Sequence, residues 1–380
     1  MSRVTVLGAG FGALTAIRTL RRLDPALEID VIAPQPRFVF YPATIWIPTG
    51  VAAPEQFEIP LERFFTRMHV TFHPGRATAL EDGGRLTCID DGQHNRRIEN
   101  DGLIIATGSA FRRDVPGLEH AFLPCGGVAE MTRLRERLNE LEHGMLAFGL
   151  GDNPDEPAAV RAGPLFELLF GIETWLRRRR CRADFRIVLF APTDTPGSKL
   201  GTRAVERMLA EMRARGIEIR LNERARRFEP GRVVTDRDEF DADVCVFMPG
   251  LSGAPWLADT LLPRSAGGLV RADATCRVEG LERVFVVGDA GSFPGPDWAP
   301  KHAHNADLQA EAAARNLVGE FAGQPAKHEP KMELMAVLDM QDKAMLIQRR
   351  GDSTRVLPTF IGFHFAKRMF AWNYVRKYRR

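Results

Sequence analysis

The first residues of the chain contain the feature that most limits its fold, a glycine-rich segment between an apolar run and an alanine-rich run. Residues 4–7 predict a strand, and GAGFGA at residues 8–13 leads into a helix. In this order Gly8 permits a tight turn, Gly10 lets a pyrophosphate touch the main chain, and the small Ala13 lets helix and strand pack closely. The free N–H groups at the helix start favour phosphate. The segment therefore predicts a dinucleotide-binding domain.

Length and composition describe an ordinary globular chain with room for more than one domain. Its 380 residues suffice for two or more full cores, and a net charge of +3 is too small to indicate a nucleic-acid partner. The five cysteines form no C-x-x-C pair and lack metal-ligand spacing, so they read as reduced thiols and no metal is expected. No apolar run approaches a membrane span, and a strand at the very start argues against a signal peptide. These features predict a cytoplasmic protein.

The second predicted strand lacks a residue that dinucleotide folds usually carry. Residues 28–32 predict this strand, whose tip would normally present a carboxylate to the adenosine ribose. Here the ribose would have to bond Gln35, Arg37 or the main chain. The following segment, residues 38–50, is apolar, aromatic and interrupted by prolines such as Pro42. It could cover a flat ring, or it could be a plain buried loop.

Two later segments predict strand ends suited to a bound dinucleotide. An apolar strand at residues 103–105 runs into the small residues 106–108, which let the strand end lie against a ligand. Another strand, within residues 283–291, ends in Gly288 and Asp289. Parallel sheets bind ligands at the carboxyl ends of their strands, where an acidic side chain can accept a hydrogen bond from a ribityl hydroxyl.

Taken together in this order, these motifs resemble the flavoproteins with two dinucleotide-binding domains, which bind FAD. Three further features are similar to those of the sulfide:quinone oxidoreductases. They are Pro300-Lys301, the small-residue helix that follows it and the tail FHFAKRMFAWNYVRKYR. Flavocytochrome c sulfide dehydrogenase flavoproteins and type II NADH dehydrogenases are close relatives of that family. The resemblance spans nearly the whole chain.

The resemblance implies an α/β fold with two Rossmann-like, doubly wound dinucleotide-binding domains and a C-terminal helical, membrane-facing cap. It places the first part of the FAD-binding domain at residues 1–115 and a second, degenerate NAD-like domain at 116–250. The FAD-binding domain would return at 251–322, and the cap would occupy 323–380. The residues that we expect to contact the FAD are Gly8, Gly10, Phe11, Gly12, Ala13, Gln35, Arg37, Pro42, Ala106, Thr107, Gly108, Gly288, Asp289 and Lys301.

Lys301 is also a candidate catalytic residue. A helix that starts after His302 would point its N-terminus at the flavin C2 carbonyl, and its dipole together with the Lys301 charge would favour the reduced, anionic flavin. The plain alternative is a solvated lysine beside a helix start.

The second glycine segment, at residues 149–154, is damaged. Its first two glycines are present, but the third small residue is replaced, and Asp152 and Asp155 lie beside the would-be phosphate site. Their charge would repel a pyrophosphate. The strand at residues 187–191 is followed by threonines rather than by a carboxylate for a ribose. We therefore expect no tight NAD(P)H binding.

The resemblance also implies three cysteines that carry sulfur beside the flavin, and only one of them is present. Cys125 corresponds to the first. The second would stand where this chain has Arg161, two residues before Gly163-Pro164, and the third would lie around residues 336–339, where there is no cysteine. Cys125 remains the candidate catalytic thiol, with an ordinary packing thiol as the alternative. Sulfide oxidation by the family's mechanism is in doubt.

The last segment, residues 358–380, combines aromatic and basic residues. Such a helix suits the headgroup layer of an anionic membrane, although it could instead dock on the domain or on a second subunit. The side chains concerned are Phe360, Ile361, Phe363, Phe365, Met369, Phe370, Trp372 and Tyr374, with Lys367, Arg368, Arg376, Lys377, Arg379 and Arg380.

The leading functional hypothesis is an FAD-dependent oxidoreductase, peripheral to the inner face of a membrane, that passes electrons from a small-molecule donor to quinone. Sulfide is the donor by family default only. An NAD(P)H-dependent flavoprotein reductase is one alternative. A flavin-binding partner or sensor protein with altered catalysis is another, suggested by the missing cysteines. A homodimer is left open.

Overall fold

The computed structural model describes residues 2–351 and 353–379. This part of the chain contains seven α-helices, among them the helices predicted after the first glycine segment, after His302 and in the tail. They are α1 (Phe11–Leu23), α2 (Glu62–Arg67), α3 (Val128–Glu140), α4 (Gly163–Arg178), α5 (Thr202–Ala214), α6 (Ala303–Phe321) and α7 (Ile361–Arg379).

The strands are short and belong to several separate sheets. In chain order they are β1 (Arg3–Leu7), β2 (Glu28–Ala33), β3 (Arg37–Val39), β4 (Glu58–Pro60), β5 (Val70–Pro74), β6 (Arg76–Glu81), β7 (Leu86–Asp90), β8 (Asn95–Glu99), β9 (Gly102–Ile105), β10 (Ala110–Phe111), β11 (Gly144–Leu150), β12 (Phe185–Ala191), β13 (Glu218–Leu221), β14 (Ala225–Glu229), β15 (Arg232–Thr235), β16 (Glu239–Asp241), β17 (Val244–Met248), β18 (Leu251–Ser252), β19 (Val270–Arg271), β20 (Val284–Val286), β21 (Gly291–Ser292), β22 (Leu334–Asp339), β23 (Ala344–Arg350) and β24 (Ser353–Val356).

The first sheet is parallel and has the strand order β20-β9-β1-β2-β5. Three of its strands, β20, β9 and β1, are almost wholly buried, as expected for parallel strands covered on both faces. Because β20 comes from the late part of the chain, the sheet joins residues that the sequence assigns to two separate stretches of one domain. The carboxyl ends of these three adjacent strands lie side by side, which brings the predicted motifs that follow them to one edge.

The second sheet is also parallel and has the order β13-β12-β11-β17. The apolar helix α4 and the amphipathic helix α5 contribute to the core around it. The predicted α/β class with two dinucleotide-type sheets is confirmed. The limits given above for the four segments stay a prediction.

Antiparallel structure that the sequence analysis did not predict precedes the last helix. Strands β22, β23 and β24 form a meander, and the first half of β23 is largely buried. The C-terminal segment is therefore a small sheet followed by a helix rather than helix alone.

Helix α7 has one face on the protein and one face in solvent. Tyr374 and Tyr378 are buried, and the Tyr374 ring lies 5.4 Å from that of Phe11 beside the first glycine segment. Phe365 and Trp372 are 61% and 57% exposed. Docking on the domain, which the sequence analysis gave as the alternative, thus accounts for one face of α7. The other face is exposed to solvent. Arg380, which the sequence places in the basic fringe, lies outside the described residues.

Candidate active site

The first glycine segment has the geometry that its sequence predicts. Gly8 has a φ of +112°, and a Cβ there would overlap the carbonyl oxygen of Ala106, where β9 ends. A Cβ on Gly10 would instead meet open space. Since Gly10 caps α1 without any side-chain hydrogen bond, the first N–H groups of that helix face a space that an anionic group can enter.

A single large cavity of about 1860 Å³ extends from this segment across the carboxyl ends of the first sheet. Of the predicted site residues, only Ala13 is absent from its lining; Ala13 is fully buried between helix and strand. The predicted residues among those that line it are Gly8, Gly10, Phe11, Gly12, Gln35, Arg37, Pro42, Ala106, Thr107, Gly108, Cys125, Gly288, Asp289 and Lys301. The fold therefore brings together residues that are up to 293 positions apart, which is the separation of Gly8 from Lys301.

The cavity walls contain polar groups that the protein itself does not satisfy. The hydroxyl of Thr107, the Nε2 atom of His302 and the indole N–H of Trp256 are buried and have no hydrogen-bond partner among the described residues. All three residues line the cavity. Buried polar atoms normally have partners, so these atoms, together with the open space at Gly10, fit a bound polar cofactor.

The start of α6 places Lys301 and His302 at the cavity. The helix begins at Ala303, as the sequence predicts, and the Nδ1 atom of His302 accepts a hydrogen bond from the Asn305 N–H at 3.3 Å. The Lys301 ammonium donates to the carbonyl oxygen of Gly291 at 2.6 Å. Burial lowers the pKa of Lys301, against the pull of Asp289. Lys301 is thus a partly buried cation held by backbone groups.

Arg161 is a site residue that the sequence analysis treated only as a missing cysteine. It forms an ion pair with Asp289, and its Nε atom donates to the carbonyl oxygen of Lys301 at 3.1 Å. Burial opposes the ionisation of Asp289, but the charges of Arg161 and Lys301 outweigh it and hold the pKa of Asp289 below its usual value. Burial raises the pKa of the Cys125 thiol, while the nearby Arg161 guanidinium acts in the opposite sense. The signal in the sequence was a basic residue close before the Gly163-Pro164 start of a buried helix.

The second glycine segment is followed by a loop rather than directly by a helix. Residues 151–162 are a loop after β11, and α4 begins only at Gly163, so no helix N-terminus lies directly behind the glycines. Asp152 is held by an ion pair with Arg224, and Asn153 donates to the carbonyl oxygen of Leu251 at 2.7 Å. The absence of tight NAD(P)H binding stays a prediction.

A second group of buried charges lies near α7, and two of its members, Glu167 and Lys367, line the same cavity. Lys367 binds Glu167, and the Asp339 carboxylate accepts hydrogen bonds from the Trp46 indole at 2.8 Å and lies 2.9 Å from His364 Nδ1. Burial raises the pKa of Glu167 to about 7 even though Lys367 pulls it down. A carboxyl with this pKa can bind and release a proton near neutral pH.

The site can be compared with known proteins at the level of the whole domain. A family model described as pyridine nucleotide-disulphide oxidoreductase matches residues 2–310. The chain belongs to the pyridine nucleotide-disulphide oxidoreductase family. The domain that this model describes binds a flavin, so the prediction of FAD is confirmed. Which residues contact it stays a prediction.

Two relatives align with most of this chain. The sulfide-quinone reductase of Aquifex aeolicus is 24% identical over 364 residues, which cover 90% of this chain and 82% of that protein. The type II NADH:quinone oxidoreductase Ndh of Mycobacterium tuberculosis is 26% identical over 377 residues, which cover 86% of this chain and 75% of that protein. The predicted resemblance to sulfide:quinone oxidoreductases is confirmed.

Solved structures show the same fold. The sulfide:quinone oxidoreductase of Aquifex aeolicus superimposes with a TM-score of 0.90 at 22% identity, covering 100% of this chain and 92% of that one. The Plasmodium falciparum NDH2 bound to NADH superimposes with a TM-score of 0.75 at 11% identity, covering 97% and 94%. At these identities the likeness concerns the fold alone.

Proposed function

We propose that the protein is an FAD-dependent oxidoreductase that takes electrons from a small donor and passes them to a quinone. The observation that carries this proposal is the single cavity in which the glycine segment, the Cys125–Arg161 pair and the Glu167–Lys367 pair all form part of the wall. Relatives named as sulfide-quinone reductase and NADH:quinone oxidoreductase support the acceptor. FAD, when bound, supplies the capacity to accept two electrons and to release them to a second substrate.

Different residues of this chain would bind different parts of the cofactor, according to the chemistry of each part. Residues 8–13 would take the pyrophosphate, because Gly10 leaves space for it beside the N-terminus of α1. Gln35 and Arg37 line the cavity beyond β2 and would take the adenosine ribose in place of a carboxylate. Asp289 would accept from the ribityl chain, and Lys301 would face the pyrimidine end of the ring.

The groups near α7 suit an apolar acceptor that must gain protons. Phe370, Ala371 and Leu334 line the cavity together with Glu167 and Lys367. Quinone reduction needs two protons for two electrons, and a protonated Glu167 can deliver one at neutral pH, after which Lys367 stabilises the carboxylate. The exposed aromatic face of α7 would meet the lipid in which quinones dissolve.

Attachment to a membrane would be peripheral, at the inner face as the sequence predicts. Each helix in the part of the chain that the structure describes is too short or too polar to cross a bilayer. On α7, Phe365 and Met369 are exposed and a basic last turn ends in Arg379. This combination favours the anionic headgroup layer.

The NAD(P)H-dependent alternative is disfavoured by the second glycine segment. Asp152 keeps an acidic group beside the glycines, paired with Arg224, and the late start of α4 leaves a pyrophosphate without a positive helix end directly behind them. A relative named as an NADH:quinone oxidoreductase keeps this alternative worth testing.

Anaerobic mixing of the purified flavoprotein with separate donors tests the proposal. Hydrosulfide, polysulfide, low-molecular-weight thiols and NADH are each added while the flavin absorption is followed, and a short-chain ubiquinone is added next. Bleaching by a donor other than NADH, with recovery on adding quinone, is the expected result. Bleaching by NADH alone supports the reductase, and bleaching by dithionite alone supports a flavin-binding partner or sensor. A colourless protein that takes up no FAD would sink all three.

A further inference from the structure

Arg161 has hydrogen-bonding capacity left over after its protein contacts. Its Nε atom binds the carbonyl oxygen of Lys301 and its Nη2 atom binds Asp289. The guanidinium also hydrogen-bonds to Cys125, which still leaves some of its N–H groups for a ligand; the side chain is 20% exposed, and the residue lines the cavity. A guanidinium in a partly desolvated wall is stabilised most by an acceptor that carries negative charge.

Two further hydrogen-bond donors lie beside this guanidinium. Tyr41 is 40% exposed, lines the cavity and has a hydroxyl with no hydrogen-bond partner in the described chain. Cys125 and Arg161 both act electrostatically on Tyr41, and Arg161 acts on Cys125, so the three side chains form one cluster. A guanidinium N–H, a phenol O–H and a thiol S–H all donate. The Cys125 sulfur accepts from Arg161, so the Tyr41 hydroxyl and the remaining Arg161 N–H groups are the donors that an acceptor on a ligand can satisfy.

The charges around the cluster also favour an anion. Arg161, Lys199 and Lys301 are the cations of this wall, and the acids that act on them are Asp289 in the wall and Glu156 beside it. The neighbouring Glu167 is matched by Lys367. Lys199 cannot swing away freely, because its ammonium binds the carbonyl oxygens of Ala158 and Ala299. The wall thus carries three positive groups against two negative ones, and the excess is partly shielded from water.

We propose that Arg161, Tyr41 and Cys125 bind the negative charge of the electron donor, so that the donor is a small anion. This inference rests on the proposed function, since it assigns the donor end of the same cavity. A neutral electron donor could accept hydrogen bonds from Arg161 and Tyr41, but it would leave the positive excess of the wall uncompensated. The shared chemistry is a compact anionic acceptor, which either a sulfur anion or a carboxylate can provide.

Binding of redox-inert anions to the oxidised FAD holoprotein tests the proposal without any turnover. Thiocyanate represents the sulfur anions and formate the carboxylates, and each is titrated while the flavin difference spectrum is recorded. We expect at least one of them to bind, and Arg161→Met to weaken its affinity about tenfold or more. Arg161→Lys should keep part of the affinity because it keeps the charge. Arg113→Met, which removes an exposed arginine outside the cavity lining, should bind as the wild type does.

Alkylation of Cys125 gives a second readout that does not depend on the flavin. The uncharged reagent N-ethylmaleimide is added with and without the anion, and modification at Cys125 is measured by peptide mass spectrometry. The bound anion should slow modification at Cys125 in the wild type and have little effect in Arg161→Met. Equal affinity and equal protection in the two proteins, or no binding by the wild type, would overturn the inference. If that negative result is accompanied by quinone reduction with some electron donor, the proposed function still stands. If an anion binds but no electron transfer occurs, only the proposed function is refuted.

Discussion

Lys367 donates hydrogen bonds to both carboxylate oxygens of Glu167, at 2.6 and 2.7 Å, although the two residues lie 200 positions apart. The contact joins α7 to α4 at the wall of the cavity. Both side chains are largely buried, with 13% and 10% exposed. A buried ion pair of this kind contributes little net stability, because the cost of desolvation opposes the attraction between the charges. Its role is more easily understood as a site that binds and releases a proton.

The first prediction concerns the pH dependence of quinone reduction. Because burial raises the pKa of Glu167 to about 7, its protonated form is depleted as pH rises through that value. The wild-type turnover number should therefore fall between about pH 6 and pH 8. Glu167→Gln cannot donate, so its rate should be about 100-fold lower at pH 6 and nearly independent of pH over this range. Turnover with saturating quinone from pH 5.5 to 8.5 measures this, and the exposed Glu136→Gln serves as the control. A variant profile that keeps the wild-type slope would contradict the assignment.

The second prediction separates folding from cofactor binding in the first glycine segment. Gly8→Ala should lower the stability of the apoprotein by about 1–3 kcal/mol, because an alanine resists a φ of +112° and its methyl group meets the Ala106 carbonyl. Gly10→Ala should leave apoprotein stability unchanged, because open space surrounds its Cβ, yet it should weaken FAD binding by filling that space. Thermal unfolding and FAD titration of both apoproteins test this pair. The reverse pattern would place the pyrophosphate elsewhere.

The third prediction concerns Asp289. Asp289→Ala should retain FAD about 10–100-fold more weakly, since it loses a charge-assisted hydrogen bond and frees Arg161 from its ion pair. The FAD-to-protein ratio after gel filtration measures the loss. Asp259→Ala, at an exposed position, is the matched control. FAD content equal to that of the wild type would remove Asp289 from the cofactor site.

The fourth prediction concerns the reduction potential of the flavin. Lys301→Ala should keep FAD bound but make its potential more negative by on the order of 30 mV, which equals about 1.4 kcal/mol for a two-electron couple. The sign follows because a cation near the ring favours the reduced, anionic form. Equilibration with reference dyes during slow anaerobic reduction gives the potential. No change in potential would show that the Lys301 ammonium, held at Gly291, is too far from the ring to matter.

The fifth prediction concerns the exposed face of α7. Replacing Phe365, Met369 and Trp372 together by serine should abolish binding to anionic vesicles and leave the flavin spectrum intact, because all three are more than half exposed. Removing the whole tail is a poorer experiment, since it would also strip the buried Tyr374 and Tyr378 from the core. Leu261→Ser, at a fully exposed leucine elsewhere, is the control. Vesicle sedimentation that is equal for the triple variant and the wild type would reject a membrane role for this face.

Local sequence patterns predicted residues that the fold brings together at one cavity. The turn at Gly8, the small residues that follow β9 and the acid that follows β20 are each encoded within a few residues. Their meeting at one edge follows from the rule that parallel strands end on the same side of a sheet. The damaged loop at residues 149–154 could likewise be interpreted from its acids.

The partners of the charged residues could not be predicted in the same way. Arg161 lies 128 positions from Asp289 and Trp46 lies 293 positions from Asp339, so no short pattern links them. The three strands β22–β24 were missed because an antiparallel meander on a partly exposed surface has only a weak alternation of apolar and polar residues.

The sequence by itself determined the cofactor and the class of fold, because phosphate binding needs glycines at fixed spacing and parallel strands need apolar runs. Only the tertiary structure decided what surrounds the cofactor. It set Arg161 beside Cys125, where a second thiol was expected, and Lys367 against Glu167. Charged residues meet their partners where distant elements pack together. A charge needs such a partner only where it is buried. The chemistry of the donor and the delivery of protons therefore belong to the fold rather than to any single segment.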